Sequence, residues 1–221
     1  MKKLLFALFA SLGCATLASA QFVLLPKAGI NISNVRFDDD EALGGRKPRV
    51  GLTLGLGVNI PQNAVLSFQT EVLYTSKGFA AEDNGVADYE GWFSLNYLEV
   101  PILAKATFGT KRLGAYANGG LSFAYLLGGR VKGRYDIANL IRDDIDERLV
   151  FTDQPNPLLL HELNANRVDV GLNLGGGLNF SAGPVPLFID LRYILGMVDH
   201  DKDQASKNRT FAITLGSQIG F

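Results

Sequence analysis

Seven charged residues stand within otherwise apolar segments of this chain, and they are its strongest candidates for chemistry. Four are acidic and three are basic, so they could neutralise one another in a space that excludes water. The seven are Glu71, Lys77, Glu99, Lys105, Asp169, Asp190 and Arg192. We expect Glu71 and Glu99 to pair across strands with Lys77, Lys105 or Arg192. Two interpretations stay open: a rigid ion-paired plug, which we favour, and a path for protons or ions.

Other motifs supply no candidate for catalysis, a cofactor or a metal. The Gly-rich phrases at 51–60 and 171–180 do not complete the G-x-G-x-x-G pattern of dinucleotide-binding turns, and no G-K-[ST] appears. Acidic loops at 37–41 and 198–203 could meet cations, but a solvated loop is the simpler interpretation. His161 lacks partners for a catalytic arrangement. We therefore expect a protein that is not an enzyme and that needs no cofactor and no metal.

The segment 49–60, RVGLTLGLGVNI, shows what kind of element positions the charges. From Val50 to Ile60 every second residue is apolar, and the residues between them are Gly, Thr or Asn. A period of two is typical of a strand with two unlike faces. Strands of soluble proteins are usually about five or six residues long, whereas a tilted strand needs about 9–11 residues to cross a bilayer. The pattern favours a membrane-spanning strand.

The same alternation recurs along the chain and predicts the fold. Eight segments carry it: 28–35, 49–60, 66–77, 97–108, 113–127, 168–180, 187–196 and 210–221. Short connections at 61–64, 109–112 and 181–186 alternate strictly with long, charged ones. Tight turns at one end and long loops at the other are typical of bacterial outer-membrane barrels. We predict an all-β fold, an eight-stranded antiparallel up-and-down transmembrane β-barrel with both termini in the periplasm.

Alternation alone does not say which face points outward, because a soluble calyx also has eight strands but an apolar interior. Three features favour the membrane barrel. The second face is rich in small residues, which suit a narrow lumen. It also carries the seven charges, each of which would cost roughly 2–4 kcal/mol in the middle of the hydrocarbon. The apolar face carries aromatic residues towards strand ends, as interfacial girdles do. Pro101 lies inside a predicted strand, where we expect a β-bulge or a kink.

The first twenty residues differ from the rest. Lys2 and Lys3 precede an apolar stretch and the small-residue site Ala18-Ser19-Ala20, which is typical of a secretory signal peptide. We expect residues 1–20 to be removed between Ala20 and Gln21, leaving 21–221 as an outer-membrane β-barrel domain. Cleavage before Cys14 would instead give a lipoprotein, although Ser11-Leu12-Gly13 fits that pattern poorly. Within the longest loop, apolar residues at helical spacing over 136–151 predict a short surface helix.

With the strands placed, four stretches resemble the PorT-like outer-membrane β-barrel family of Bacteroidetes. They are TEVLYTSKGF (70–79), YLEVPILAK (97–105), DLRYILGM (190–197) and NRTFAITLGSQIGF (208–221), and the resemblance spans nearly all of 21–221. It implies a location in a Gram-negative outer membrane. Phe221 is similar to the terminal aromatic residue that the barrel-assembly machinery recognises, although Ile219 replaces the aromatic that the family often has two residues before the end.

These patterns leave three expectations for function. The leading one is a structural or interaction role through the extracellular loops, with outer-membrane lipid and lipopolysaccharide around the barrel and other envelope proteins as partners. The second, implied by the resemblance, is an accessory subunit of a type IX-like secretion system. The third is a narrow, porin-like pore. The formal net charge of −1 gives no indication of nucleic acid as a partner.

Overall fold

The computed structural model describes residues 22–37, 46–81, 88–110, 112–137, 141–152, 162–163, 166–182, 185–198 and 206–220. All the regular structure in these residues is β. The strands are β1 (Val23–Phe37), β2 (Arg46–Pro61), β3 (Leu66–Ala81), β4 (Asp88–Gly109), β5 (Leu113–Ile137), β6 (Ile141–Arg148), β7 (Val150–Phe151), β8 (Glu162–Leu163), β9 (Val168–Ala182), β10 (Val185–Gly196), β11 (Ser206–Ser217) and β12 (Ile219–Gly220). Among the described residues, no helix is long and apolar enough to span a membrane.

Eight long strands close into an antiparallel barrel, which confirms the predicted fold class. Around the barrel the order is β1, β2, β3, β4, β5, β9, β10 and β11, and β11 pairs with β1 again. The register is continuous at this seam, where Ile30 of β1 lies between Leu52 of β2 and Ile213 of β11. Closure lets each strand find hydrogen-bond partners on both sides, which a structure without water around it requires.

The two faces of each strand differ as the alternation predicts. On β2, Val50, Leu52, Leu54 and Leu56 are between 42% and 60% exposed, while Thr53 of the opposite face is buried. The same exposed apolar face continues around the barrel and forms what we call the apolar belt. Its members include Ile30, Val72, Ile102, Phe123, Leu174, Leu191 and Ile213. The inner face carries the buried polar residues.

The barrel has a turn end and a loop end. At the turn end, β2 joins β3 through residues 62–65, where the Asn63 side-chain oxygen accepts hydrogen bonds from the backbone N–H groups of Val65 and Leu66 at 2.9 and 2.8 Å. The β4–β5 turn contains Gly109 with φ +107°, a conformation that favours glycine. Val23 pairs with Gly220 here. The strand ends that the longer connections join lie at the opposite end, which we call the loop end.

The expected helix over 136–151 is wrong, because β6 occupies 141–148. This strand pairs antiparallel with β5, with Lys132 opposite Asp146 and Arg130 opposite Arg148. The apolar spacing of a single short segment is weak information, and pairing with a long neighbouring strand overrides it. Leu149, one of the residues that suggested the helix, is instead buried in a cluster with Val131.

Of the two alternatives expected at Pro101, the β-bulge is wrong and the kink stays a prediction. Pro101 lies opposite Ser122 with the β4–β5 register unchanged on both sides of it, and the β3–β4 ladder is interrupted at Val100 and Pro101 without any change of register. A register shift falls instead between Asn96 and Tyr97 of β4. The strand accommodates the missing N–H of Pro101 because pairing with β3 is interrupted there, while pairing with β5 continues.

Several sequence predictions lie outside the described residues. These are the cleavage site at Ala20 and Gln21, the terminal Phe221, His161, and most of the acidic loops 37–41 and 198–203.

Candidate functional site

The alternation of the strands places all seven predicted charges inside the barrel. Glu71, Lys77, Glu99, Lys105, Asp169, Asp190 and Arg192 are each buried, with at most 5% exposure. An eighth charge that the sequence analysis missed, Lys27 of β1, is buried with them. The described lumen thus holds four carboxylates and four basic groups. Their side chains fall into two layers, one towards each end of the barrel.

Glu71 is the centre of the turn-end layer. Its two carboxylate oxygens accept hydrogen bonds from both terminal nitrogens of Arg192, Nη1 to Oε2 at 2.8 Å and Nη2 to Oε1 at 3.0 Å. Lys27 Nζ donates to Oε1 at 3.0 Å, and the side-chain amide of Gln69 donates to the same oxygen. A bidentate guanidinium–carboxylate pair fixes both groups in direction as well as distance.

Asp190 completes the turn-end layer from β10. Its Oδ2 lies 3.1 Å from Lys27 Nζ and 2.8 Å from Arg192 Nη2. Its Oδ1 accepts hydrogen bonds from the Tyr116 hydroxyl at 2.9 Å and from the Asn118 amide at 3.1 Å. Lys27 and Arg192 therefore each bridge two carboxylates. Four strands, β1, β3, β5 and β10, are tied together across the lumen by these contacts.

Lys105 enters the same layer from β4. Its Nζ lies 3.8 Å from the centre of the Tyr116 ring, which is cation–π geometry. Among the described residues it forms no salt bridge, unlike the other lumen cations.

The loop-end layer contains Lys77, Glu99 and Asp169. Lys77 Nζ lies 2.8 Å from Glu99 Oε2 and 5.4 Å from the centre of the Tyr97 ring. Glu99 and Asp169 approach from the two strands that flank β5, because both lie opposite Ala124. This layer carries two carboxylates and one base, and the turn-end layer carries two carboxylates and three bases. The excess charge of each layer is balanced by the other.

Apolar side chains cover the charged layers at both ends. The turn-end apolar cluster consists of Leu25, Tyr116 and Phe188. The loop-end apolar cluster consists of Leu95, Tyr97, Ala124, Leu126, Val131 and Leu149. A hydrated ion that crossed the lumen would have to displace both clusters, and losing its water among apolar groups is costly.

Glycines make room for this filling. A Cβ on Gly177 of β9 would lie 2.6 Å from Tyr116 Cζ, and a Cβ on Gly216 of β11 would overlap the Phe188 ring. The large side chains of the turn-end apolar cluster therefore occupy the space that side chains on β9 and β11 would need.

The arrangement is suited to holding the barrel closed. The sequence-predicted pairs of Glu71 with Arg192 and of Glu99 with Lys77 are both present. Among the described residues, no group of three or more His, Cys, Asp or Glu is placed to hold a metal ion. The carboxylates of the turn-end layer are occupied by cationic side chains, which leaves their oxygens committed to the barrel itself.

Comparison with known proteins agrees with this architecture. The family described as "outer membrane protein beta-barrel domain" matches residues 19–201. Search of curated proteins finds no significant match. Among solved structures, the outer membrane protein OprG from Pseudomonas aeruginosa is 10% identical over 91% of this chain and 96% of its own, with a TM-score of 0.52. This likeness concerns the fold.

Two further barrels align over similar lengths with lower scores. Ail of Yersinia pestis is 16% identical over 90% of this chain and 99% of its own, with a TM-score of 0.43. Neisserial surface protein A is 12% identical over 90% of this chain and 97% of its own, also with a TM-score of 0.43.

Proposed function

This chain belongs to the outer membrane protein β-barrel domain family, and from that membership we propose that it is a non-conducting membrane anchor that presents a β-sheet at its loop end to partners outside the cell. Its location is the outer membrane, as for the family. The proposal adds an orientation, with the loop end outside and both termini in the periplasm, and it adds the role of the sheet.

The observation that carries the proposal is the length of β4 and β5 beyond the apolar belt. On β5 the last belt residue is Leu127, yet the strand continues to Ile137, a further ~33 Å along the strand at about 3.3 Å per residue. β4 pairs with this extension from Asp88 onward, and β6 adds a third strand to it. A three-stranded sheet of this length exceeds what is needed to connect two membrane strands. Its cross-strand pairs and apolar side give it a defined shape that a partner can recognise.

The filled lumen supports a non-conducting role over the narrow pore. Two apolar clusters and two ion-paired layers occupy the described interior. Planar-bilayer recording of the full chain is expected to show no channel steps above the bilayer baseline. Reproducible unitary steps that disappear when the protein is left out would overturn the non-conducting role.

The presenting role is tested by capture of partners with a shortened chain as control. In that variant a short Gly-Ser turn replaces residues 130–148, which removes β6 and the extended part of β5 and leaves the belt strands intact. Envelope proteins that cross-link to the full chain but not to the shortened one would support the proposal. If every cross-linked protein is retained by the shortened variant, the sheet is not the recognition element. Secretion-system subunits among the retained proteins would favour the accessory role in secretion that the family resemblance implies.

A further inference from the structure

A basic and aromatic cluster lies on the outer side of the barrel wall where the apolar belt ends at the loop end. We call it the interfacial basic cluster, and it consists of Arg49, Trp92, Arg130 and Lys132. Arg49 immediately precedes Val50, which is 60% exposed and belongs to the belt. Trp92 is 37% exposed and is the only tryptophan in the chain. Tryptophan at the edge of an apolar belt is typical of the membrane–water interface.

Two cations share the Trp92 ring. Arg49 Cζ lies 4.9 Å from the ring centre and Lys132 Nζ lies 5.7 Å from it. Arg49 is held in place by Nη1, which donates to Ser76 Oγ at 3.3 Å and to the Lys77 carbonyl oxygen at 3.4 Å. These bonds use one of the nitrogens of a group that has five N–H donors.

The backbone explains how Arg49 reaches the ring. The β2–β3 register shifts between Pro48 and Thr53, and register shifts of this kind re-aim side chains. Arg49 lies within the shifted stretch, and its side chain crosses β3 to contact Trp92 on β4. On β5, Lys132 is directly opposite Trp92, so Lys132 approaches the ring from the β5 side of β4 and Arg49 approaches it from the β3 side.

Among the described side chains, the cluster has three basic groups and one carboxylate paired with them. Arg130 and Lys132 share one carboxylate, Asp146, at 3.2 and 2.9 Å, and all three side chains are between 37% and 49% exposed. The exposed Arg148 stands opposite Arg130. Glu147 stands opposite Val131, a position that alternates to the other side of the sheet. An exposed ion pair contributes little to stability, so a stronger anion can displace Asp146.

We propose that the interfacial basic cluster binds the phosphate group of a phosphorylated glycolipid in the outer leaflet. Guanidinium groups suit phosphate because their N–H donors match its oxygens in pairs. Arg49 adjoins the belt residue Val50, and lipid phosphates lie just outside the hydrocarbon layer, so we infer that such phosphates come within reach of the cluster. The Trp92 ring then offers a flat face to the adjoining sugar. The proposal rests on the proposed function through the orientation of the loop end.

Trp92 is itself the reporter for the test. The full chain is reconstituted in nanodiscs of phosphatidylcholine with increasing mole fractions of bisphosphorylated lipid A, and the tryptophan emission is followed. We expect a saturable change with bisphosphorylated lipid A and none with the same lipid after removal of both phosphates. The variant Arg49→Gln/Lys132→Gln is expected to raise the half-saturating mole fraction at least about tenfold, because it removes two charged donors.

Controls separate this site from general attraction. Arg112→Gln removes an exposed base at the turn end and is expected to leave the titration unchanged. Arg49→Gln could disturb the contact between β2 and β3. The single variant Lys132→Gln changes only an exposed side chain, so it tests the site in a barrel that still folds. The proposal would be overturned by an equal response to the dephosphorylated lipid or by saturation with millimolar inorganic phosphate. It would also be overturned if the titration were unchanged in both Arg49→Gln/Lys132→Gln and Lys132→Gln. Because the nanodisc assay does not depend on orientation in the cell, its failure is distinct from failure of the proposed function.

Discussion

At the scale of single residues, Glu71 is the central carboxylate of the turn-end layer. It accepts from Arg192 through both oxygens and from Lys27, and each of these cations is buried. Replacing one partner of a buried ion pair leaves the other charge uncompensated, which is more damaging than replacing both partners.

We therefore expect Glu71→Gln to lower the free energy of unfolding by about 3–5 kcal/mol. Among the described residues, Asp190 would remain as the only carboxylate within hydrogen-bonding distance of Arg192 and Lys27. The measurement is equilibrium denaturant unfolding of the barrel in phospholipid vesicles, followed by circular dichroism.

Two further variants show whether the loss is electrostatic. Glu71→Gln/Lys27→Met removes one cation together with the anion and is expected to recover part of the stability. Glu147→Gln, at an exposed position of β6, is expected to change stability by less than about 1 kcal/mol. If the free energy of unfolding of Glu71→Gln were no lower than that of Glu147→Gln, the lumen pairs would not stabilise the barrel.

The residues of the site are largely predictable from alternation. On a given strand, whether a position is odd or even decides if its side chain faces the lumen or the lipid. Alternation does not predict Lys27, because the first alternating segment begins at residue 28, after Pro26 and Lys27. Two signals could have found it. The inward parity of Asn31 and Gly29 extends to residue 27, and four predicted acids with three bases left a buried charge to be balanced. Which carboxylate meets which cation depends on the register between strands, which alternation does not fix.

At the scale of strands, glycines on the inner face decide whether large side chains fit. A Cβ at Gly177 would overlap the Ile189 carbonyl and lie 2.6 Å from Tyr116 Cζ. The carbonyl belongs to the barrel wall and cannot move away as a flexible side chain would.

Gly177→Ala is thus expected to destabilise the barrel by at least about 3 kcal/mol, the upper part of the range for overpacking, or to prevent assembly. The matched control is Gly128→Ala on β5, because nothing lies within 4 Å of the Cβ it would add. That control is expected to stay within about 0.5 kcal/mol of the unmodified chain. Folded yield and denaturant midpoint are measured for both. Equal behaviour of the two variants would contradict close packing of Gly177 against Tyr116 and the Ile189 carbonyl.

The extension of β4, β5 and β6 is held to the barrel by the loop-end apolar cluster. Leu149 is 7% exposed within that cluster, and the next residue, Val150, is 48% exposed. Leu149→Asp would bury a carboxylate among apolar groups, whereas Val150→Asp would place the same group in solvent.

We expect limited proteolysis to cut the β5–β6 region of Leu149→Asp about ten times faster than that of Val150→Asp, with the barrel's unfolding midpoint unchanged in both, because opening is local. Cleavage sites are identified by mass spectrometry. If both variants resist the protease equally, Leu149 does not anchor the extension.

Element boundaries were harder to predict than element type. The belt portions of all eight strands follow from a period of two, since lipid and lumen impose opposite demands on neighbouring residues. Beyond the belt both faces of β4 and β5 leave the membrane, and that demand disappears. The segment 136–151 therefore carried an ambiguous pattern, and its pairing with β5 is a long-range contact that no local spacing encodes.

At the scale of the whole molecule, the order of layers along the axis runs from the turn-end apolar cluster through two charged layers to the loop-end apolar cluster. Such an interior makes the barrel a rigid support, and its asymmetry lies in the two ends. One end has short turns, and the other has the long sheet and the interfacial basic cluster. A bacterial outer-membrane barrel has its short turns in the periplasm, so the loop end is expected outside.

Cysteine labelling in intact cells tests this orientation. Ala64, in the first turn, and Arg148, at the end of β6, are both exposed, so Ala64→Cys and Arg148→Cys report on opposite ends. A membrane-impermeant maleimide is expected to label Arg148→Cys in intact cells, and to label Ala64→Cys only after the outer membrane is permeabilised. The unmodified chain, whose single cysteine is Cys14, gives the background. If only Ala64→Cys were labelled in intact cells, the barrel would have the opposite orientation, and the interfacial basic cluster would lie in the periplasmic leaflet.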